Sequence, residues 1–241
     1  MTESRFEETP REPQPQPWSS GPDPQGRERP AREPIFNAPW QAVAVTVLIV
    51  GGYAIQTQFP VDAVENAYAF APANLVPGRW ETAITAIFLH GNWAHAMMNA
   101  AFALAFSAPV ARLFGPKLEG GLLFFGFYLL TGVLANLGFA ALHLGSPALV
   151  VGASGAVSAL MGAAARLMGG HGRPGPIFSR PVLSLGGAWI GINLLIALVG
   201  PSFLPGAGKA GVAWEAHVVG FVVGVLLIPL FAWFAPDKPE P

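Results

Sequence analysis

Three short stretches of the sequence contain the side chains that could do chemistry together. One is Gly152-Ala-Ser154-Gly155, where a Ser hydroxyl lies among small residues. The other two contribute His and Asn side chains and a pair of Gly at helical spacing; their residues are His90, His95, Asn99, His217, Gly220 and Gly224. A Ser hydroxyl is a weak nucleophile until a base removes its proton, and neutral His is suited to that task near pH 7. The set indicates covalent catalysis by Ser154, provided that the fold brings a His to it.

The Gly-x-Ser-Gly pattern is weak evidence when it is considered alone. The chain contains 29 Gly, so the pattern is easily met by chance. A soluble hydrolase would have Gly-x-Ser-x-Gly on a turn between a strand and a helix, but position 156 is Ala and no strand pattern precedes it. The ordinary alternative is a helix that begins with a Ser cap and a Gly in a tight turn. The elements around Ser154 must decide between these interpretations.

The composition predicts a polytopic membrane protein. The chain has 241 residues, of which 52% are hydrophobic and 11% charged, with a mean hydropathy of +0.47; soluble domains carry about 25% charged residues. Residues 1–37 hold 12 of the 27 charged residues (13 Lys and Arg plus 14 Asp and Glu), so the rest has too few to cover a soluble surface. The net charge of -1 gives no reason to expect a nucleic acid partner. The lack of Cys excludes disulfides and thiolate chemistry.

Six apolar spans predict an all-α membrane protein with a six-helix bundle. The spans run from about Ala38 to Thr57, Thr85 to Leu113, Gly120 to Leu142, Ser154 to Leu167, Pro181 to Val199 and Val212 to Phe234. We expect one domain over residues 38–234, with a long first loop over residues 58–84. Residues 1–37 are too polar and Pro-rich to bury a core and predict a disordered tail, and residues 235–241 form a short C-terminal tail.

The fourth span is shorter than a bilayer is thick. From Ser154 to Leu167 it has 14 residues, or about 21 Å of helix, against a hydrocarbon core of about 30 Å. Irregular backbone at membrane depth is tolerated only where protein encloses it or where it lines a wet cavity. We therefore expect Ser154 to lie below the surface in a hollow, beside the free N–H groups of a helix start, which could stabilise an oxyanion.

The distribution of Lys and Arg predicts the orientation in the membrane. With six spans both termini lie on one side, and that side collects the tail arginines together with Arg112, Lys117, Arg166, Arg173, Arg180 and Lys238. The other side has only Arg79 and Lys209. The positive-inside rule then places both termini in the cytoplasm and opens Ser154 to the extracytoplasmic side. High usage of Ala, Gly, Pro and Arg favours a bacterial inner membrane.

Polar residues inside apolar spans point to function because they are costly in lipid. His95 and Asn99 are four residues apart and share a helix face, whereas His90 lies elsewhere and is expected to hydrogen-bond backbone of the long first loop. His217 shares a face with Gly220 and Gly224, which would allow close helix packing. The fourth span offers a matching set of small residues: Ser154, Gly155, Ser158, Ala159 and Gly162. Close packing of the fourth and sixth spans would bring His217 to Ser154.

Several of these polar residues also have ordinary structural interpretations. Each His could be an interhelical hydrogen-bonding group. A metal site formed by His90, His95 and His217 is disfavoured because no carboxylate joins them and zinc-binding His pairs on a helix prefer a spacing of four. The remaining polar residues have no evident partner and are taken as structural: Asn136, His143 and Asn193. Glu215 lies two residues before His217, so it should point away from it.

With these residues in place, the chain resembles the rhomboid family of intramembrane serine proteases. The matching patterns are His90-x4-His95-x3-Asn99, Gly152-x-Ser154-Gly155 and Ala216-His217-x2-Gly220-x3-Gly224, with Phe88-Leu89 before the first. They occur in the family's order on the second, fourth and sixth spans. The resemblance covers about residues 38–234, and the ordered set is far more specific than any one motif.

The resemblance implies a rhomboid-like six-helix bundle with a Ser154–His217 dyad and no acidic third member. It further implies an oxyanion site made by His95, Asn99 and the Ser154 N–H. The remaining motif residues would give structural support: His90, Gly152, Gly155, Gly220 and Gly224. The expected substrates are transmembrane segments of other proteins in the lipid bilayer, cut near small residues, and neither a cofactor nor a metal is expected.

Two departures from the family's pattern concern the anchoring of the first loop. Many members carry Trp-Arg eight to nine residues before the first motif His, where this chain has Glu81 and Thr82, with Arg79-Trp80 just upstream. Many also carry a Glu late in the second span, where this chain has Ala111.

Two other functions stay open. An inactive relative that binds membrane proteins should lack Ser154 or His217, and a transporter should show an internal repeat.

Overall fold

A computed structural model describes residues 37–199 and 213–236, and the elements of this part of the chain are helical. The predicted tails over residues 1–37 and 235–241 lie almost wholly outside the described residues, as does the loop that contains Lys209. The eight α-helices are α1 Trp40–Gln56, α2 Val61–Tyr68, α3 Thr82–Thr85, α4 Trp93–Phe114, α5 Leu118–Leu142, α6 Ser154–Met168, α7 Arg180–Val199 and α8 Trp214–Trp233. Two 3-10 turns, Pro72–Leu75 and Ala86–Phe88, lie in the segment between α1 and α4.

Four of these helices are long and apolar enough to cross a membrane, judged by length and composition: α4, α5, α7 and α8. The helix α1 is a shorter apolar helix of 17 residues. Their outer surfaces are apolar; Val47, Leu122 and Leu195, for example, are exposed on α1, α5 and α7. This is the surface of an all-helical integral membrane protein, because apolar side chains facing lipid cost nothing.

The helix α6 lies at the centre of the molecule. Twelve of its fifteen residues are buried, although its composition is dominated by Ala and Gly rather than by large apolar residues. Its Leu160 belongs to a core with Phe114 of α4, Phe127 of α5 and Ile228 of α8. Being enclosed by other helices, α6 does not need the length or hydropathy of a span in contact with lipid.

Small residues let α6 and α8 pack with their backbones in contact. A Cβ atom at Gly220 would overlap the carbonyl oxygen of Gly155, and one at Gly224 would overlap that of Ala159. In the opposite sense, a Cβ at Gly162 would overlap the carbonyl oxygen of Phe221. Side chains larger than hydrogen would force the helices apart, so these Gly set the interaxial distance. The small-residue faces meet as the sequence predicts.

The second span begins later than the sequence predicts. The chain from about Thr85 is broken into α3, a 3-10 turn and the extended residue Leu89, and α4 starts at Trp93. Asn92 caps α4, since its side chain accepts a hydrogen bond from the His95 N–H at 2.9 Å. An Asn at this position competes with the helical backbone for hydrogen bonds and so favours a helix start.

Arg79 anchors the long first loop from within. Its guanidinium donates to the carbonyl oxygen of Asn66 at 3.1 Å and to that of Ala67, and its Nε lies 3.3 Å from Glu81. The Thr85 hydroxyl also donates to the Tyr68 carbonyl oxygen at 2.7 Å. The loop is therefore held by an Arg that lies slightly upstream of the position at which the family's pattern places it.

A side chain at the end of α1 clamps the chain just before α4. The Gln56 amide nitrogen donates to the His90 carbonyl oxygen, and the His90 N–H donates to the Gln56 Oε1, both at 2.9 Å.

We expect Gln56→Ala to lower the free energy of unfolding by about 1–3 kcal/mol, because it leaves two buried backbone groups of His90 without partners. The measurement is the thermal midpoint in detergent micelles. Gln58→Ala is the control, since that exposed side chain bonds only to Ala54 and Thr57; equal shifts in the two variants would contradict the prediction.

Candidate active site

Ser154 is the first residue of α6, and the loop before it is fixed by backbone hydrogen bonds. Val150 pairs with Phe70 in an antiparallel bridge, with N–H to oxygen distances of 2.7 and 3.1 Å. The Gly152 N–H then donates to the Ala86 carbonyl oxygen at 2.9 Å. Gly152 has a φ of 127°, which only Gly adopts without strain. The loop is thus pinned to the segment before α4, and it delivers Ser154 to a fixed position.

The His217 imidazole lies against the Ser154 hydroxyl. His217 is in the first turn of α8, and its Nε2 is 2.8 Å from Ser154 Oγ, which is a normal hydrogen-bond distance. The contact follows from the close approach of Gly220, about one turn after His217 on α8, to Gly155, the residue directly after Ser154 on α6. The structure therefore brings together the hydroxyl and the imidazole that the sequence places on separate spans.

His95 also lies near Ser154, beside Gly152. A Cβ atom placed on Gly152 would lie 2.8 Å from His95 Nε2 and 3.6 Å from Ser154 Oγ. His95 is in the first turn of α4, and Asn99 follows one turn later. The Asn99 side chain is buried, and its Nδ2 donates to the His95 carbonyl oxygen at 3.0 Å. The His95 ring and the Ser154 hydroxyl therefore both approach Gly152, and the lack of a side chain at Gly152 makes room for the His95 ring.

His90 lies at the junction between the 3-10 turn and α4, as the sequence predicts, but with different partners. Its main chain bonds to Gln56 on α1 rather than to the loop over residues 58–84. Its buried ring packs edge-on between Tyr53, at 6.3 Å, and His95, at 5.2 Å between ring centroids. The predicted bond from the ring to backbone of the first loop is absent among the described residues. The His90 ring therefore packs against His95.

Asn193, which the sequence indicates to be structural, contacts His217. The Oδ1 of Asn193 on α7 lies 2.7 Å from His217 Nδ1, so the imidazole is bonded through both ring nitrogens. The ring of Trp189, one turn earlier on α7, lies 5.8 Å from the His217 ring at an interplanar angle of 35°. The available signal was the cost of burying an amide in an apolar span, which favours a functional role for such a residue.

The other polar residues without predicted partners do find them in the structure. His143 Nε2 lies 3.0 Å from Glu215 Oε1, which joins the end of α5 to the start of α8. Glu215 thus faces away from His217, as its position two residues earlier requires. The Asn136 side chain donates to the Ala83 carbonyl oxygen at 2.9 Å and holds α3 against α5. These contacts are structural.

The described part of the chain contains no group of three or more His, Cys, Asp or Glu placed to hold a metal ion. The site offers a hydroxyl hydrogen-bonded to an imidazole, a second imidazole that lies against Gly152, and the N–H groups at the start of α6. The first N–H groups of a helix have no acceptor within the helix, so they are free to bind a developing negative charge. This arrangement suits acyl transfer through a Ser nucleophile.

The chain matches a known family model. The model of the Rhomboid domain matches residues 77–234, a range that runs from the end of the first loop through α8 and contains Ser154, His217, His95 and Asn99. A search of curated proteins finds no match.

Proposed function

Since the chain belongs to the rhomboid family, we propose that it is an intramembrane serine endopeptidase that cuts peptide bonds in or near transmembrane segments of other membrane proteins. The observation that carries the proposal is the 2.8 Å contact between His217 Nε2 and Ser154 Oγ at the start of a buried helix. A relative that only binds membrane proteins would have no need for a hydroxyl aligned with an imidazole.

In the proposed reaction, Ser154 Oγ attacks the carbonyl carbon of the scissile peptide while His217 Nε2 takes the hydroxyl proton. The tetrahedral intermediate collapses as the C–N bond breaks, and the protonated imidazole gives its proton to the leaving amine. An acyl-enzyme ester at Ser154 remains. Water then attacks the ester with His217 again as the base, which releases the carboxylic acid and restores the Ser hydroxyl.

We assign the oxyanion site to His95, Asn99 and the Ser154 N–H. The support is that His95 Nε2 and Ser154 Oγ both lie close to Gly152, at 2.8 and 3.6 Å from the position that a Cβ atom would take there. Asn99 gives one amide hydrogen to the His95 carbonyl oxygen, and its second hydrogen is available to an oxyanion. Donors held in place before the reaction stabilise the charge that develops on the carbonyl oxygen without reorganisation.

We propose six spans, with α1 and α6 added to the four longer helices, in one domain over residues 38–234. The site lies at the N-terminal ends of α4, α6 and α8, while Arg112 and Arg166 lie at the C-terminal ends of α4 and α6. By the positive-inside rule the arginine ends face the cytoplasm, so both termini are cytoplasmic and the site opens to the other side. A bacterial inner membrane, with the polar tail over residues 1–37 in the cytoplasm, fits this charge distribution.

The proposal is tested with the purified chain in liposomes that contain single-span substrate proteins with small residues in their spans. We expect discrete products from a cut in or near the span, and we expect a fluorophosphonate probe to modify Ser154, located by mass spectrometry. If wild-type protein neither cuts any substrate of a varied panel nor reacts with the probe, the proposed activity is wrong and a membrane-protein-binding role takes its place.

A Gly at the helix contact gives a prediction that links packing to rate. We expect Gly220→Ala to lower kcat by about 10²-fold, because its methyl group would overlap the Gly155 carbonyl oxygen and separate α6 from α8 by about 1 Å, and such a displacement costs a rate factor of that size. Overpacking should also cost about 1–3 kcal/mol of stability.

The measurement for Gly220→Ala is kcat in liposomes together with the thermal midpoint. Gly51→Ala on α1 is the matched control, because no atom of the described residues lies within 4 Å of its Cβ position. Full activity in Gly220→Ala would show that this contact does not set the distance between Ser154 and His217.

A further inference from the structure

The helix α7 carries one buried polar residue among its apolar ones. Its buried residues are Val182, Gly186 and Asn193, and the rest of the helix is largely exposed. Asn193 is only 1% exposed. Burying an amide is unfavourable unless its hydrogen bonds are made, so its partners indicate why it is there.

The hydrogen bonds of Asn193 fix which end of its amide faces His217. Its Nδ2 donates to the Trp189 carbonyl oxygen, one turn back on α7, at 2.8 Å. The carbonyl end of the amide is therefore left for His217, and Oδ1 lies 2.7 Å from Nδ1 of the imidazole. An amide oxygen only accepts hydrogen bonds, so the hydrogen of this bond has to be on His217 Nδ1.

We propose that Asn193 is a positioning residue that holds His217 in the tautomer with its proton on Nδ1, so that Ser154, His217 and Asn193 act as a triad. With Nδ1 protonated, the lone pair of Nε2 faces the Ser154 hydroxyl and can take its proton. In the opposite tautomer Nε2 would carry a hydrogen and could only donate to Ser154 Oγ. Choice of tautomer through the second ring nitrogen is a general property of His sites.

The neutral amide makes this triad different from one with a carboxylate. Asn193 orients the imidazole and selects its tautomer without adding a negative charge to an apolar interior, where an unpaired charge is costly. The Trp189 ring beside His217 restricts rotation of the imidazole as well. Both residues are on α7, so this helix, which carries no proposed reacting group, controls the geometry of the base.

The tautomer is measured by nitrogen NMR of histidine-labelled full-length protein in nanodiscs at pH 8, where a neutral imidazole gives separate signals for its two nitrogens. Ser154→Ala is the background, so that the Ser hydroxyl does not influence the result, and the His217 signals are assigned by their loss in His217→Gln. We expect Nδ1 to carry the proton. Adding Asn193→Leu should shift the population toward Nε2–H, and adding Asn193→Asp, which keeps an acceptor oxygen, should preserve Nδ1–H.

Asn136→Leu is the matched control, because Asn136 is also a buried Asn on an apolar helix but bonds to the Ala83 carbonyl oxygen. It should leave the His217 signals unchanged. An Nε2–H tautomer in the background protein, or an unchanged tautomer after Asn193→Leu, would overturn the proposal. Because this measurement needs no turnover, its outcome does not depend on the proposed protease activity.

The kinetic consequence rests on the proposed function. In protein that retains Ser154, Asn193→Leu should lower kcat by about 10²-fold with KM little changed, because the base is misoriented while the substrate site is intact. Asn193→Asp should recover most of that loss, and Asn136→Leu should show none of it. A Leu variant as active as wild type would overturn the positioning role, whereas inactivity of the wild-type protein would count against the proposed function and leave the tautomer as the test.

Discussion

Ser154→Ala and His217→Ala are each expected to lower kcat by about 10⁴–10⁶-fold, and the double variant should be no slower than either single one. In the proposed mechanism the nucleophile and its base act as one unit, so removal of either ends covalent catalysis and removal of the second causes no further loss. The 2.8 Å contact between the two side chains is the structural reason to expect this non-additivity. Residual turnover would come from the oxyanion site and substrate binding alone.

The measurement is single-turnover cleavage of a transmembrane substrate in liposomes. Ser158→Ala is the control for the Ser variant, because Ser158 lies one turn along the same helix and its hydroxyl only donates to the Ser154 carbonyl oxygen, at 2.7 Å. His143→Ala is the control for the His variant, since the His143 imidazole bonds to Glu215 and not to Ser154. Cleavage that survives Ser154→Ala would refute the mechanism.

His95→Ala and Asn99→Ala are expected to lower kcat by about 10²–10³-fold each, with KM little changed. Both side chains are proposed to donate to the oxyanion, whose charge exists only in the transition state and the intermediate, and loss of one such donor has a cost of this size. His95 Nε2 and Ser154 Oγ both lie close to Gly152, which gives the His95 variant a geometric reason. Asn99 supports His95 as well through its bond to the His95 carbonyl oxygen.

The oxyanion variants are measured by the dependence of rate on substrate concentration in the bilayer. Ser107→Ala serves as the control because Ser107 is a fully buried polar residue on the same helix, two turns further from the site. A loss that appears in KM alone would assign His95 and Asn99 to substrate binding instead of transition-state stabilisation.

Much of the fold could be predicted from local sequence features. The apolar spans follow from composition, and the start of α6 at Ser154 follows from Gly152 and the short apolar run after it. The packing of α6 on α8 could be predicted because Gly220 and Gly224 lie on one face of α8. Two Gly on one face of an apolar helix indicate a close contact with another helix. Features that depend on spacing along a single helix were therefore accessible.

Features that depend on the rotation and placement of separate helices were not accessible. The bond between Asn193 and His217 requires the rotation of α7 about its axis, and α7 gives no amphipathic signal because nearly all its faces are apolar. α4 starts at Trp93 because Asn92 caps it. The residues before Asn92 are also apolar, so the hydropathy of the sequence does not show where the helix begins. The anchoring role of Arg79 depends on the fold of a long irregular loop, and such a loop has no regular spacing of residues from which contacts could be predicted.

The enclosure of α6 has a consequence for biosynthesis. Ser154 leaves the ribosome well before His217, yet α6 obtains its closest neighbour, and the nucleophile its base, only from α8, which begins at Trp214. A nascent chain cut short before that helix carries the hydroxyl without the imidazole, and the side of α6 that α8 covers is left open. In the proposed mechanism, a chain that stops before α8 therefore carries the nucleophile without its base and cannot cut the proteins inserted beside it.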